Sequence, residues 1–314
     1  MNASLKITLA IPLHNEEENV GEILRRTGDV LRATPSGPHE LVLVDDGSTD
    51  RTLEILRAAR VPEVDLLVLS LSRNFGHQAA LSAALDHSQG DVVILMDGDL
   101  QDPPEILPTF LEFYRNGYDV VYAMRSRRKG VWYRKLSYFL FYRLLESMSN
   151  IHLPLDSGDF SLLSRRVVDA INAMPERHRY LRGLRSWAGF RQIGIPVSRP
   201  DRSRGTSKYT LSKLFHLAFD GIFSFSVIPL RVASILGGLT ILGSLAFALY
   251  SLYARFVLNE SPKGFTALIL TITFVSGVQL FFLGVIGEYV GRIHSEVQGR
   301  PQYIVSQVIR RSGV

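Results

Sequence analysis

Val92-Val93-Ile94-Leu95-Met96-Asp97-Gly98-Asp99-Leu100-Gln101-Asp102-Pro103-Pro104 is the stretch on which the reading of this chain turns. Five apolar residues, three of them β-branched, predict a buried strand that halts at two carboxylates separated by one glycine. Side chains alternate along an extended chain, so Asp97 and Asp99 point the same way if strand geometry persists through Gly98. Two like charges that close resist joint ionisation unless a cation lies near them. A hard divalent ion, Mg²⁺ or Mn²⁺, relieves that repulsion, and such ions take one or two carboxylates together with substrate phosphates. Asp102-Pro103-Pro104-Glu105 reads as a helix start, with Asp102 as N-cap, Pro103 at the first helical position and Glu105 closing a capping box. The competing reading is a strand and a capped helix with surface acids, because Asp-x-Asp is a short pattern.

The flanking sequence decides between the two. Upstream, Leu5–Leu13 predicts a first buried strand ending at Pro12-Leu13-His14-Asn15-Glu16, with Asn15 and Glu18 spaced to cap a helix carrying Val20, Ile23, Leu24 and Leu31. Glu40–Val44 predicts a second strand that ends in Asp45-Asp46-Gly47-Ser48-Thr49-Asp50. Leu66–Leu71 predicts a third, followed by Ser72-Arg73-Asn74-Phe75-Gly76 and a helix over 77–87. Strand and helix alternate, so the fold class is α/β with a largely parallel sheet and right-handed crossovers. Ligands of such sheets bind outside the carboxyl ends of the strands, where all four polar clusters fall. His77 and His87 are read as structural residues.

Past this half, Tyr118–Met124 predicts another strand leading into Arg125, Arg127, Arg128 and Lys129, and 132–148 a strongly aromatic helix. Asp156-Ser157-Gly158-Asp159-Phe160 opens a strand or turn, 164–174 reads as a helix and 192–196 as a last strand. Arg199–Lys208 is a basic loop, and 209–231 is an amphipathic aromatic segment suited to the interface plane of a bilayer or to core packing.

Two runs, Val232–Tyr253 and Gly264–Gly287, contain no charged residue, and each exceeds the roughly 20 residues that cross a bilayer as a helix. Arg199, Arg202, Arg204, Lys208, Lys213 and Arg231 precede the first; Arg292, Arg300, Arg310 and Arg311 follow the second. The positive-inside rule then places both termini in the cytosol. Residues 1–10 lead directly into an apolar strand, so no cleavable signal peptide is expected. The absence of cysteine fits a reducing compartment and excludes disulfides and thiolate metal sites. A formal charge of +5 is modest for a nucleic-acid binder, and its basic residues crowd the membrane-proximal half, which suits anionic lipids or phosphorylated substrates. Gly284, Gly287 and Gly291 allow close helix approach, either between copies in a homo-oligomer or between the two spans of one chain.

Together IPLHNEE, VDDGSTD, SRNFGHQAAL, MDGDLQDPP, DSGDF and RSRGTSK closely resemble the family 2 glycosyltransferases, specifically the membrane-bound polyprenyl-phosphate glycosyltransferases of the dolichol-phosphate-mannose synthase and bacterial glucosyltransferase type. The resemblance spans essentially the whole chain. It implies a GT-A type nucleotide-sugar-binding domain over 1–208 with a mostly parallel central sheet, an interfacial segment over 209–231, a transmembrane hairpin over 232–287 and a cytosolic tail over 288–314. It implies inverting transfer of a hexose, glucose first, from a nucleotide sugar to undecaprenyl or dolichyl phosphate at the cytosolic face of the cell membrane. Carried over by position, Asp97, Asp99 and Gln101 hold Mg²⁺ or Mn²⁺, with Asp99 the most direct ligand. Pro12, Asn15, Glu16, Asp45 and Asp46 form the nucleotide pocket. Arg73 lines the same cleft or makes a structural ion pair. Asp156 and Asp159 stand at the acceptor-side acid, with Asp159 either a base or a ligand of sugar hydroxyls. Arg125, Arg134, Arg202 and Lys208 are the choices for the lipid phosphate, because guanidinium forks match phosphate oxygens. The chain departs from the look-alikes at His14, where tyrosine is common, and the Gln-x-x-Arg-Trp string of processive synthases is missing, its nearest counterpart being Arg182-Gly183-Leu184-Arg185-Ser186-Trp187.

Overall fold

A computed structural model of the chain describes residues 5–125, 157–177, 179–197, 228–257 and 264–313. The expectations at Arg134, Asp156, Arg202 and Lys208, the aromatic helix over 132–148 and residues 209–227 of the amphipathic segment lie outside them. The elements are β1 (Ile7–Leu13), α1 (Val20–Ala33), β2 (His39–Asp45), α2 (Thr52–Ala58), β3 (Val64–Leu71), α3 (His77–His87), β4 (Val92–Leu95), a 3₁₀ turn (Pro104–Ile106), α4 (Leu107–Arg115), β5 (Val120–Arg125), β6 (Ser157–Ser164), α5 (Arg165–Asn172), α6 (Leu181–Trp187), β7 (Gln192–Val197), α7 (Ile228–Phe256), α8 (Phe265–Val297) and β8 (Val305–Arg311).

Apolar runs without polar alternation belong to strands covered on both faces, and β1, β2 and β4 are buried along their whole length. The sheet has eight strands in the order β7-β5-β6-β4-β1-β2-β3-β8. Parallel pairing joins β4, β1, β2 and β3 and also β5 with β7, whereas β6 runs antiparallel between β4 and β5 and β8 antiparallel beside β3. The chain moves outward from β1 to β2 to β3 and then returns to set β4 on the other side of β1. That reversal opens a crevice at the carboxyl ends of β1 and β4. Because β6 is antiparallel, its first residues reach the same rim. Helix α1 closes one face through Val20, Ile23 and Leu31, and the Phe110 and Phe160 rings, 5.0 Å apart, clamp α4 onto β6.

Three local expectations are corrected. Asp102 is fully buried and caps no helix; the 3₁₀ turn begins at Pro104, because a residue preceding proline is biased toward extended backbone, as Pro103 is. Glu105 instead grips Arg26 through two bonds of 2.9 and 2.6 Å. Asn15 does not cap α1, which starts at Val20; it lies in the left-handed region at φ 54° and its side-chain oxygen accepts from the Thr49 N–H at 2.8 Å. The third concerns 288–314: α8 runs on to Val297, and 305–311 form β8, an edge strand whose residues alternate in exposure. Its partner β3 is apolar and needs a cover, and Val305-Ser306-Gln307-Val308-Ile309 supplies one with a partly buried face.

The chain divides into two compact units. Described residues 5–197 and 300–313 form one, and α7 and α8 belong to the other. Helices α7 and α8 touch each other and carry their apolar side chains outward, with Phe247, Leu249, Phe274 and Leu280 all exposed. At 29 and 33 residues they are about 43 and 50 Å long, enough to cross an apolar layer of about 30 Å. They are candidate membrane spans by length and composition, and their most apolar stretches are not buried among the described residues. A Cβ at Gly284, Gly287 or Gly291 would meet nothing within 4 Å among the described residues, so these glycines do not serve the packing of α7 on α8.

Candidate active site

The crevice is built from strand ends upward. At the end of β2, Asp45 is buried and its two oxygens accept from the Ser48 N–H and the Ser70 hydroxyl, each at 3.2 Å. Asp46, also buried, accepts from the N–H groups of Phe75 and Gly76 at 2.7 and 2.9 Å and so pins the loop after β3. Gly47, at φ 61°, lets that loop approach: an added Cβ would stand 2.4 Å from the Arg73 carbonyl carbon. The end of β1 is tied to the same cluster, for the Asn15 N–H donates to Ser48 Oγ at 3.0 Å and the Glu16 N–H to Thr52 Oγ1 at 2.9 Å. Pro12 is buried within β1, and His14 Nδ1 meets the Asp46 carbonyl at 2.9 Å. Among the described residues Arg73 makes no ion pair; it donates to the Asn74 carbonyl and stacks over Phe75 at 4.0 Å.

Strand β4 carries the centre of the site. Its antiparallel register with β6 pairs Leu95 with Ser161, and two further steps bring Asp97 opposite Asp159. His77, the first residue of α3, completes the group: its Nε2 lies 3.5 Å from Asp97 Oδ1 and 3.4 Å from Asp159 Oδ2. The ligand atoms of these three residues all lie within 4.8 Å of one another. Gly98 is small because it must be, since a Cβ there would meet Leu13 Cδ2 at 2.5 Å and the Pro12 carbonyl at 2.9 Å. Asp99 Oδ1 accepts the Gln101 N–H at 3.1 Å, which folds the loop back on itself.

Asp159 is 6% exposed and is gripped by Arg182, Nε to Oδ1 at 2.7 Å and Nη2 to Oδ2 at 2.8 Å. Burial by itself would raise this carboxyl, but the Arg182 charge and bonds, with His77, hold it well below the usual carboxylate range. His77 is shifted the other way: partial burial opposes protonation, and Asp159 and Asp97 outweigh it and raise the imidazole. Arg185, one turn beyond Arg182 and buried, is pushed down to about 10 by desolvation and stays charged at neutral pH.

Comparison with known proteins bears directly on this arrangement. The model of "Glycosyl transferase family 2" matches residues 8–171, from β1 into α5. An uncharacterized glycosyltransferase of Synechocystis sp. is 41% identical over 97% of this chain and 96% of its own. The chain belongs to glycosyltransferase family 2. A further relative, the SfII prophage-derived bactoprenol glucosyl transferase of Shigella flexneri, is 38% identical over 96% of this chain and 98% of its own. Among solved structures, glucosyl-3-phosphoglycerate synthase from Mycobacterium tuberculosis, in complex with Mn²⁺, UDP and glucosyl-3-phosphoglycerate, is 19% identical with a TM-score of 0.44, covering 70% of this chain and 78% of that one.

Within this family 2 fold Pro12 and Asp45 lie at the carboxyl ends of β1 and β2, Asn15, Glu16, Asp46, Arg73, Asp97, Asp99 and Gln101 lie on the loops that follow the strands at the same rim, and Asp159 lies beside Asp97 across His77. Arg125 ends β5, and its side chain is outside the described set. His77, expected from the sequence to be structural, stands between the carboxylates of Asp97 and Asp159 at this rim, directly after the β3 loop. Arg182 sits on a helix and no strand-end rule points to it. The donors fit the divalent ion that the family resemblance implies. The donors that lie close enough to share an ion are His77, Asp97 and Asp159, two carboxylates and an imidazole that Mn²⁺ accepts, although Asp159 has both oxygens engaged by Arg182; Asp99 is not part of that group.

Proposed function

We propose that the protein transfers a hexose, glucose first, from UDP-glucose to a polyprenyl phosphate such as undecaprenyl or dolichyl phosphate, with inversion at the anomeric carbon. The carrying observation is the acidic crevice of a family 2 fold in a chain that also holds two long apolar helices. Full-length relatives named bactoprenol glucosyl transferase support the acceptor and the sugar. The ends of β1 and β2, with Asn15, Glu16 and Asp45, seat the nucleotide, where carboxylates accept from ribose hydroxyls or base N–H groups. Asp46 acts by holding the loop of Arg73 and Phe75 in place.

Asp97, Asp99 and Gln101, with His77, are the residues that would hold Mg²⁺ or Mn²⁺, which when bound supplies Lewis-acid neutralisation of the departing diphosphate. A phosphate oxygen of the lipid bonds to C1 of the sugar as the bond from C1 to the β-phosphate oxygen breaks. That acceptor is ionised near neutral pH, so the chain supplies orientation and charge in place of a strong base. Arg125, Arg134, Arg202 and Lys208 neutralise the approach of one anion to another, and Asp156 belongs to the acceptor side. The catalytic domain, both termini and the reaction lie at the cytosolic face of the membrane, in keeping with the basic residues that flank the spans.

The test is incubation of membranes with labelled UDP-glucose, polyprenyl phosphate and Mn²⁺. Labelled lipid is expected, and Asp99→Asn abolishes it while the thermal midpoint stays put. Failure to label lipid from UDP-glucose, UDP-galactose, GDP-mannose or UDP-N-acetylglucosamine would reject the reaction.

A further inference from the structure

The string Arg182-Gly183-Leu184-Arg185 sets two arginines three apart on α6, hence on one face. Both lie against the buried end of β6, with Asp159, Ser161 and Leu95 around the same small cavity. Arg182 spends two guanidinium N–H groups on the two oxygens of Asp159. Arg185 is 3% exposed, stacks on the Tyr122 ring at 4.8 Å, and its Nε and Nη2 find no hydrogen-bond partner among the described residues. A buried guanidinium with two of its nitrogens unpaired among the described residues is costly, and Asp159 is the anion whose field offsets it. One carboxylate is thus bracketed by two arginines on one side and by His77 on the other.

We propose that Arg182, backed by Arg185, is a positioning residue that fixes Asp159 as a charged acceptor for the donor sugar's hydroxyl groups and withholds it from the metal. This rests on the reaction proposed above. A carboxylate held on both oxygens by a fork cannot turn toward an ion without breaking two charge-assisted bonds. It keeps unused lone pairs, so it can still accept from a hydroxyl. Lysine would supply the charge of Arg182 without the planar fork, which separates orientation from electrostatics.

The full chain, purified in detergent, is compared as wild type, R182Q, R182K, D159N and D97N, with three probes: Mn²⁺ alone by EPR, UDP with Mn²⁺, and sugar transfer. R182Q is expected to lower kcat by about 100-fold, the usual consequence of a misplaced group, while UDP binding is unchanged. R182K is expected to stay close to R182Q. D97N loses at least the roughly 10–100-fold in Mn²⁺ affinity that removal of a metal-supporting group costs, and D159N does not. A wild-type rate in R182K overturns the positioning role, as does a D159N chain that loses Mn²⁺ as fully as D97N. Parallel loss of UDP binding, Mn²⁺ binding and thermal midpoint in R182Q reduces Arg182 to a structural support and overturns it too. Were the wild type to label no lipid, the reaction would fall, and the Mn²⁺ comparison would still decide whether Asp159 is withheld from the ion.

Discussion

Gly98 offers the sharpest test of how the crevice is held. Alanine there would place its Cβ 2.5 Å from Leu13 Cδ2 and 2.9 Å from the Pro12 carbonyl oxygen, where ordinary contacts begin at 3.4 Å. Relief therefore needs both a displacement of about 0.9 Å from a leucine that is only 2% exposed and one of about 0.5 Å from β1 backbone. Overpacking of this kind costs about 1–3 kcal/mol. For a unit of this size that lowers the thermal midpoint by about 2–12 °C. Strain of that size moves the loop bearing Asp97 and Asp99, so transfer falls by about tenfold or more. The control is Gly21→Ala on the exposed side of α1, where a Cβ meets nothing within 4 Å and helix propensity favours alanine by up to about 1 kcal/mol. Intrinsic fluorescence on heating gives the midpoints and labelled lipid gives the rates. A G98A chain that matches wild type in both would refute the claim that the strand ends are packed to contact at this residue.

Removing residues 300–314 strips β8 from the β3 edge and with it the Tyr303 hydroxyl bond to Asp86 at 2.7 Å and the Arg57 bonds to Gln307. The expected result is a lower midpoint and aggregation through the bared apolar edge, read by size-exclusion chromatography; a monodisperse, equally stable product would show that β8 is dispensable. Asp50 lies below its usual range: partial burial raises it, and bonds from the Thr52 side chain and from the Thr52 and Glu17 N–H groups outweigh that. A depressed carboxylate contributes stability that is present above its unfolded value near pH 4 and lost as pH falls through the folded one. D50N is therefore expected to narrow the loss of stability between pH 6 and pH 3, by well under about 1 kcal/mol given its exposure, and so the fall in midpoint; an identical fall in both chains would contradict this.

Much of the candidate site was legible without coordinates because the alternation of apolar runs and helices fixes which ends of the strands share a rim. Asp45 and Asp46 stand at the end of β2, and Asp97 and Asp99 stand just past the end of β4, so their common placement follows from local signals at two strand ends. The capping boxes failed for a different reason. Asn15 and Asp102 have the right spacing to a following acid, but tertiary demands outbid the local bond: Thr49 takes Asn15, and burial removes Asp102 from the helix end.

The sequence by itself determined the strand and helix alternation, the acidic rim and two apolar helices, because each rests on periodicity or run length within a few residues. Only the tertiary structure decided that β6 runs antiparallel beside β4, that 305–311 close the sheet against β3, and that His77 and Arg182 meet Asp159. Those partners lie tens to hundreds of residues apart in the chain. Their meeting is set by strand order and register, which no local pattern encodes.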